Sequence, residues 1–176
     1  MQKKPSRMWA IKKTTKEGSY DVVLNKDYEL PAKFNGTIKI TQKNCPPAMN
    51  PANQRTLDGW HHMFDGRPDI KEVIFDRDID TSHVTSTRCM FHKCENLERI
   101  VLPDFAFQNV INASYMFEDC PKLKEIIGRG LFLSKNIDGS FSLNKFVEEL
   151  TEDIIKNTPI PTNACPVGLN ILAKRI

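Results

Sequence analysis

Met90-Phe91-His92-Lys93-Cys94-Glu95-Asn96-Leu97-Glu98-Arg99-Ile100-Val101 decides the fold, because the chain says it nearly three times. Met63-Phe64 precedes it by 27 residues and Met116-Phe117 follows it by 26. Six residues after each Phe stand Ile70, Leu97 and Leu123. Nine after stand Val73, Ile100 and Ile126, and ten after stand Ile74, Val101 and Ile127. Cys94 and Cys120 share the position three after Phe, and Leu57, Val84 and Val110 share the position six before Met. A repeat of this length marks stacked coils, each unable to bury its apolar side alone.

Within a coil, strand side chains alternate faces. Val73 and Phe75 are therefore expected inside and Ile74 outside, with the same for the two later copies. Parallel strands follow from the repeated order of elements. Phe64, Phe91 and Phe117 should stack as a spine. Apolar residues at 84, 90, 91, 94 and at 110, 116, 117, 120 come at near-helical spacing, which predicts a short helix or helical turn on the far side of each coil. Asn96, Pro68 and Pro121 lie in the turns leading back to the strands.

Met-Phe-x-x-Cys-x-x-Leu-x-x-Ile resembles the repeat of the BspA-like leucine-rich repeat family, surface-repeat proteins of bacteria, mycoplasmas, some phages and protists. The resemblance covers about residues 57–127. It implies an α/β fold: a short leucine-rich-repeat solenoid of parallel β-strands and short helices. It also implies adhesion or protein binding, and not catalysis.

The flanks read as caps, since a stack of coils exposes apolar ends unless covered. Residues 18–56 are expected to be an N-terminal β cap with a Pro-rich loop. There Val22–Leu24 and Ile38–Ile40 read as strands around the Asn35-Gly36 turn. Ile38 and Ile40 are placed to pair with Val73 and Phe75. Residues 57–135 hold the repeats and 136–176 a C-terminal cap and tail. In that last part Phe141–Leu143 reads as a strand. Phe146, Val147, Leu150 and Ile154 then predict an amphipathic helix over 144–157, ended by Pro159 and Pro161.

Charge is uneven. The net +3 of the 176-residue chain comes from residues 1–17, a basic arm with Lys3, Lys4, Arg7, Lys12, Lys13 and Lys16. Such an arm is either a solvated terminus or a contact for phosphate, which makes nucleic acid an alternative partner. The start of the chain lacks an apolar signal core, and no stretch approaches the ~18 apolar residues of a membrane span, so a cytoplasmic protein without a membrane partner is expected. Five cysteines, an odd number, fit reduced thiols. Cys94 and Cys120 are expected to be close, buried and unbridged.

His61, His62, Cys89, His92 and Cys94 raise the question of zinc. They fall in at least three columns of the repeat, which point in different directions, and His92 shares its column with Asp65 and Glu118. No metal and no cofactor are expected. Neither a phosphate-binding loop nor a Cys/His nucleophile pair stands out, so no catalytic residue is assigned and the protein is expected not to be an enzyme.

The strand face carries the functional expectation. Lys71, Glu98 and Lys124 alternate in sign from coil to coil, and so do Glu72, Arg99 and Glu125. Strands about 4.8 Å apart set these opposite charges beside one another. Ile74, Val101 and Ile127 form an aliphatic column on the same outward face. Such a stripe is covered either by the chain or by a partner. Glu72, Ile74, Arg99, Val101, Glu125 and Ile127 are therefore the expected partner-binding residues, with a protein as partner. By analogy with the family, a phage- or mobile-element-encoded effector or inhibitor of a host protein is expected. A nucleic-acid accessory protein using the basic arm and a surface-adhesin fragment are the alternatives.

Overall fold

A computed structural model describes residues 8–13, 20–25, 35–49, 56–143, 154 and 157–159. Eight short strands run through it: β1 Trp9–Lys13, β2 Tyr20–Leu24, β3 Thr37–Ile40, β4 Glu72–Phe75, β5 Arg99–Val101, β6 Glu125–Ile127, β7 Leu133–Lys135 and β8 Phe141–Leu143. β3-β4-β5-β6 form one parallel sheet. Its register is that of the repeat: Ile38 beside Val73, Val73 beside Ile100, Ile100 beside Ile126. β1-β2 and β7-β8 are antiparallel pairs. The residues read as a basic arm thus include β1, while 1–7 and 14–19 lie outside the described residues.

The core follows the columns. Phe64, Phe91 and Phe117 are fully buried and stacked, with centroids 5.3 and 5.6 Å apart and planes within 10°. Trp60 stacks on Phe75 at 6.0 Å and meets Phe107 edge-on at 5.8 Å, filling the interior beside the spine. Cys94 Sγ–H donates to the Phe64 carbonyl at 3.0 Å, and Cys120 Sγ–H to the Phe91 carbonyl at 2.9 Å. Each thiol therefore ties its coil to the preceding one. Both are buried and free. Burial pushes the Cys94 thiol far up and the Cys120 thiol to about 12.

The expected short helices are absent, and the α/β class is corrected accordingly: the described residues are strands and turns, with helix only at Ile154. The physical reason lies in where the N–H groups go. In the second coil, Thr87, Cys89, Phe91 and Lys93 donate to Asn112, Ser114, Met116 and Glu118 of the next coil at 2.9–3.0 Å. The intervening Met90, His92 and Cys94 close turns on Thr87, Cys89 and Phe91. A helix would spend all these donors internally on residues four back and leave the coils unlinked. The alternation requires left-handed residues at fixed columns. His62, Cys89 and Tyr115 take φ of 54–59°, and Gly66, Lys93 and Asp119 take 54–66°. A non-glycine residue pays about 1–2 kcal/mol for this conformation.

On either side of the repeats, described residues make the same hydrogen bonds that one coil makes to another. Val22 and Leu24 of β2 donate to the Gly59 and Met63 carbonyls at 3.1 and 2.9 Å, as coil residues do to the coil after them. At the other end Phe117 N–H donates to Ile154 O at 2.8 Å. Thr158 Oγ1 accepts from Cys120 N–H at 3.1 Å and donates to the Phe117 carbonyl. It thereby takes the place that a cysteine thiol holds between the other coils. The helix expected over 144–157 lies outside the described residues apart from Ile154 and Asn157.

Candidate functional site

The strand face brings the expected partner-binding residues together. Side chains two apart on a strand share a face, so Glu72 with Ile74, Arg99 with Val101 and Glu125 with Ile127 all lie outward. Arg99 Nε reaches Glu125 Oε2 at 2.6 Å, and its terminal nitrogen pairs with Glu72. Those two carboxylates raise the Arg99 guanidinium above its ordinary range. Glu72 also accepts from Thr37 Oγ1 at 3.1 Å, so the ladder runs across all four strands. Lys124 Nζ stands 2.8 Å from Glu98, whose carboxyl is held low by that hydrogen bond and charge. The alternating columns thus set the register that charge complementarity requires.

The aliphatic column is only partly open. Ile74 and Ile127 are half-buried, whereas Val101 is 8% exposed and belongs to the buried set. Val101 lies between Ile74 and Ile127 in register, at the centre of the column. The expectation that Val101 is an open surface position is corrected: a charge there would be placed in a buried site. Ile74 and Ile127 are the accessible members.

A second polar cluster occupies the turn face. Asp65 accepts from both His62 Nδ1, at 2.5 Å, and His92 Nδ1, at 2.8 Å. His92 Nε2 faces Glu118 Oε2 at 3.4 Å. Arg88 lies 3.3 Å from His62 Nε2 and over the Tyr115 ring at 5.7 Å. Of the residues weighed for zinc, the fold brings His62 and His92 together through Asp65. It sends Cys94 to the core side of the turn. Asp119, which sequence reasoning left out, joins His92 and Glu118: the three offer ligand atoms all within 4.8 Å of one another. Its column looked unremarkable because Gly66 and Lys93 are the earlier members.

Two further features had a weaker signal. Asp104 pairs with Arg77, 3.0 Å from its Nε, and with the Arg129 backbone at 3.2 Å, which ties three coils at the strand exits. The spacing there drops to 25, so the column is broken in the sequence. Arg129 lies over Phe105 at 5.3 Å, and Phe105 stacks on half-exposed Phe141 at 5.2 Å. Of the basic arm, Lys12 and Lys13 fall in β1, and Lys3, Lys4, Arg7 and Lys16 fall outside the described residues. Among the described residues no helix is long and apolar enough to cross a membrane.

Residues 32–150 match a family model described as a mycoplasma protein of unknown function, DUF285. No curated protein and no solved structure matches the chain.

Proposed function

The chain belongs to the DUF285 family of mycoplasma proteins of unknown function, and we propose that it is a non-enzymatic module that binds another protein through its strand face. On this reading the stacked coils are a short solenoid of the leucine-rich type, akin to BspA-like repeats, and the two end segments are its caps. The observation that carries the reading is the outward column. Half-buried Ile74 and Ile127 flank buried Val101, beside the Glu72–Arg99–Glu125 ladder. Aliphatic side chains framed by a paired, rigid charge ladder give a partner apolar area with fixed polar edges, the usual layout of a recognition surface. Arg99 adds a side chain enriched at binding hot spots. The ladder keeps the face rigid before contact, so little side-chain entropy is lost on binding. An effector or inhibitor acting on a host protein is the form of this function that the family resemblance favours.

The experiment is affinity purification with mass spectrometry from a host lysate, comparing the native chain with Ile74→Glu/Ile127→Glu. Both positions are half-buried, so the variant is expected to keep the native far-UV spectrum and to lose the partner. A folded variant that retains the same partner would refute the strand face as the binding surface. Deletion of residues 1–7 serves as the second arm. Loss of the partner there, with the strand face intact, would move the function to the basic terminus.

A further inference from the structure

We propose that the outer edge of β1 is a docking site for an acidic, extended segment of another protein, which adds to it as a further strand. The argument starts from where the backbone of β1 points. Asn25 N–H donates to Met8 O at 2.8 Å, and the antiparallel pair continues with Ala10 beside Val23 and Lys12 beside Asp21. Bonded pairs alternate with unbonded ones in an antiparallel ladder. Met8, Ala10 and Lys12 therefore turn their backbone groups to β2, while Trp9, Ile11 and Lys13 turn theirs away from it. β2 has the matching phase on its other side, where Val22 and Leu24 N–H reach the Gly59 and Met63 carbonyls. Among the described residues no backbone group pairs with the outward groups of β1. Trp9, Ile11 and Lys13 each offer one donor and one acceptor along about 17 Å of strand.

The neighbouring edge is built differently. β3 borders the parallel sheet at the same end of the stack, and side chains take two of its outward groups. Thr37 N–H donates to Asn35 Oδ1 at 3.1 Å, and Lys39 O accepts from Asn44 Nδ2 at 3.0 Å. Capping of this kind closes an edge to other strands, and β1 has none among the described residues. β1 is nevertheless held in place. Trp9 Nε1 donates to Asn44 O at 2.5 Å, and its ring meets Phe64 edge-on at 6.0 Å. An edge fixed before contact loses little entropy when a strand is added. Ile11, 37% exposed, gives a side chain of that strand an apolar neighbour.

Charge selects the occupant. Lys12 and Lys13 lie in β1 itself, and Lys39 and Lys43 are exposed on the segment that holds Trp9 through Asn44. Asp21, beside Lys12 in register, offsets one of these charges. The remaining excess is positive, so it attracts an acidic strand and repels a basic one. A second copy of the chain would bring the same lysines and is disfavoured on that ground. In strand addition the main chain supplies affinity and alternate side chains supply specificity. The fitting segment is therefore extended, with apolar and acidic residues in alternation.

The probe is a fluorescein-labelled peptide alternating valine with glutamate, titrated with the full chain and followed by fluorescence anisotropy. Saturable binding that weakens as salt rises is expected. Amide exchange of the ¹⁵N-labelled chain should slow at Trp9, Ile11 and Lys13 when the peptide is bound. A peptide with lysine in place of glutamate should not bind. Nor should the acidic peptide after N-methylation of alternate residues on one edge, which removes its donors and leaves its charge. Ile11→Pro deletes one outward N–H, and proline is tolerated on an edge strand where that N–H faces solvent. The variant should keep the native far-UV spectrum and lose the peptide; if it does not fold, the N-methylated peptide gives the same answer on the native chain. Five outcomes would overturn the site: no saturable binding, equal binding of the lysine or N-methylated peptide, a folded Ile11→Pro variant that still binds, protection only away from β1, or protection of these amides by self-association or by an oligothymidylate in place of the peptide.

Discussion

Phe91 is the residue whose loss should cost the stack most. It is 0% exposed and lies between Phe64, 5.3 Å away and 10° from parallel, and Phe117, 5.6 Å away and 5° from parallel. Its backbone is fixed from both sides, by Phe64 N–H donating to Met90 O and by Phe91 N–H donating to Met116 O. The coils therefore have little freedom to collapse into a space left by the ring. Phe91→Ala should fall at the upper end of the range for such truncations, about 4–5 kcal/mol. Phe91→Leu keeps most of the apolar volume and loses two ring–ring contacts. At 0.5–1.5 kcal/mol each these predict a loss of about 1–3 kcal/mol. Total stability for a domain is about 5–15 kcal/mol, so the alanine variant should be only marginally folded and the leucine variant measurable. Urea denaturation followed by far-UV circular dichroism gives both values. A double cycle of Phe64→Leu with Phe91→Leu should return a coupling of about 0.5–1.5 kcal/mol. Zero coupling, or an alanine variant within about 1 kcal/mol of native, would show that the spine is not what joins the coils.

Two other outcomes follow from buried groups. Cys94 and Cys120 should resist a thiol reagent at pH 8 until the chain is unfolded, since burial holds both as thiols and puts Cys120 at about 12; rapid labelling of the native protein would contradict the packing. His83 meets Trp60 edge-on at 6.1 Å and its Nε2 is buried without a partner, and burial lowers its pKa below the ordinary 6.5, outweighing the opposing charges of Asp80 and Asp58. Below pH 6.5 the unfolded chain binds a proton that the folded chain refuses, so stability must fall on acidification from about pH 7 through the region below 6.5. His83→Gln should flatten that part of the stability–pH curve; an unchanged slope would assign it to other groups.

The parts of the fold that could be read ahead were those in which a column has one chemical meaning. Val73, Ile100 and Ile126 are aliphatic and lie inside. Phe64, Phe91 and Phe117 are aromatic and stack. Glu72, Arg99 and Glu125 alternate in sign and pair. The turn segments were misread because their apolar residues fall near helical spacing, while the feature that excludes a helix is conformational. The left-handed column one before Met holds His62, Cys89 and Tyr115, three side chains with nothing in common. The column two after Phe was better marked, since Gly66 stands first in it and glycine is the residue that adopts positive φ without strain. The turn-face cluster escaped for a related reason. His92 and Glu118 share a column with Asp65, but Asp119 is one residue on, and only a turn that is not a helix brings its carboxylate beside theirs.

The same columns give Ile154, Asn157 and Thr158 a place in the repeat. Counted from the hydrogen bonds, Ile154 stands where Met90 and Met116 stand, because its carbonyl receives the N–H of the preceding coil's Phe. Asn157 then falls two after the Phe position and has φ of 55°, in line with Gly66, Lys93 and Asp119. Thr158 falls three after, at the cysteine position, and bonds the Phe117 carbonyl as Cys94 and Cys120 bond the carbonyls of Phe64 and Phe91. Pro159 follows Thr158 as Pro121 follows Cys120. The distance from Met116 to Ile154 is 38 residues rather than 26, which hides the match from any search at one period. Among the described residues Ile154 and Thr158 thus meet the third coil as one coil meets another, with a hydroxyl in place of a thiol, and the β7–β8 hairpin lies within the lengthened connection. These contacts satisfy the Phe117 N–H and carbonyl and the Cys120 N–H, and burying such groups unpaired would cost about 1–3 kcal/mol each.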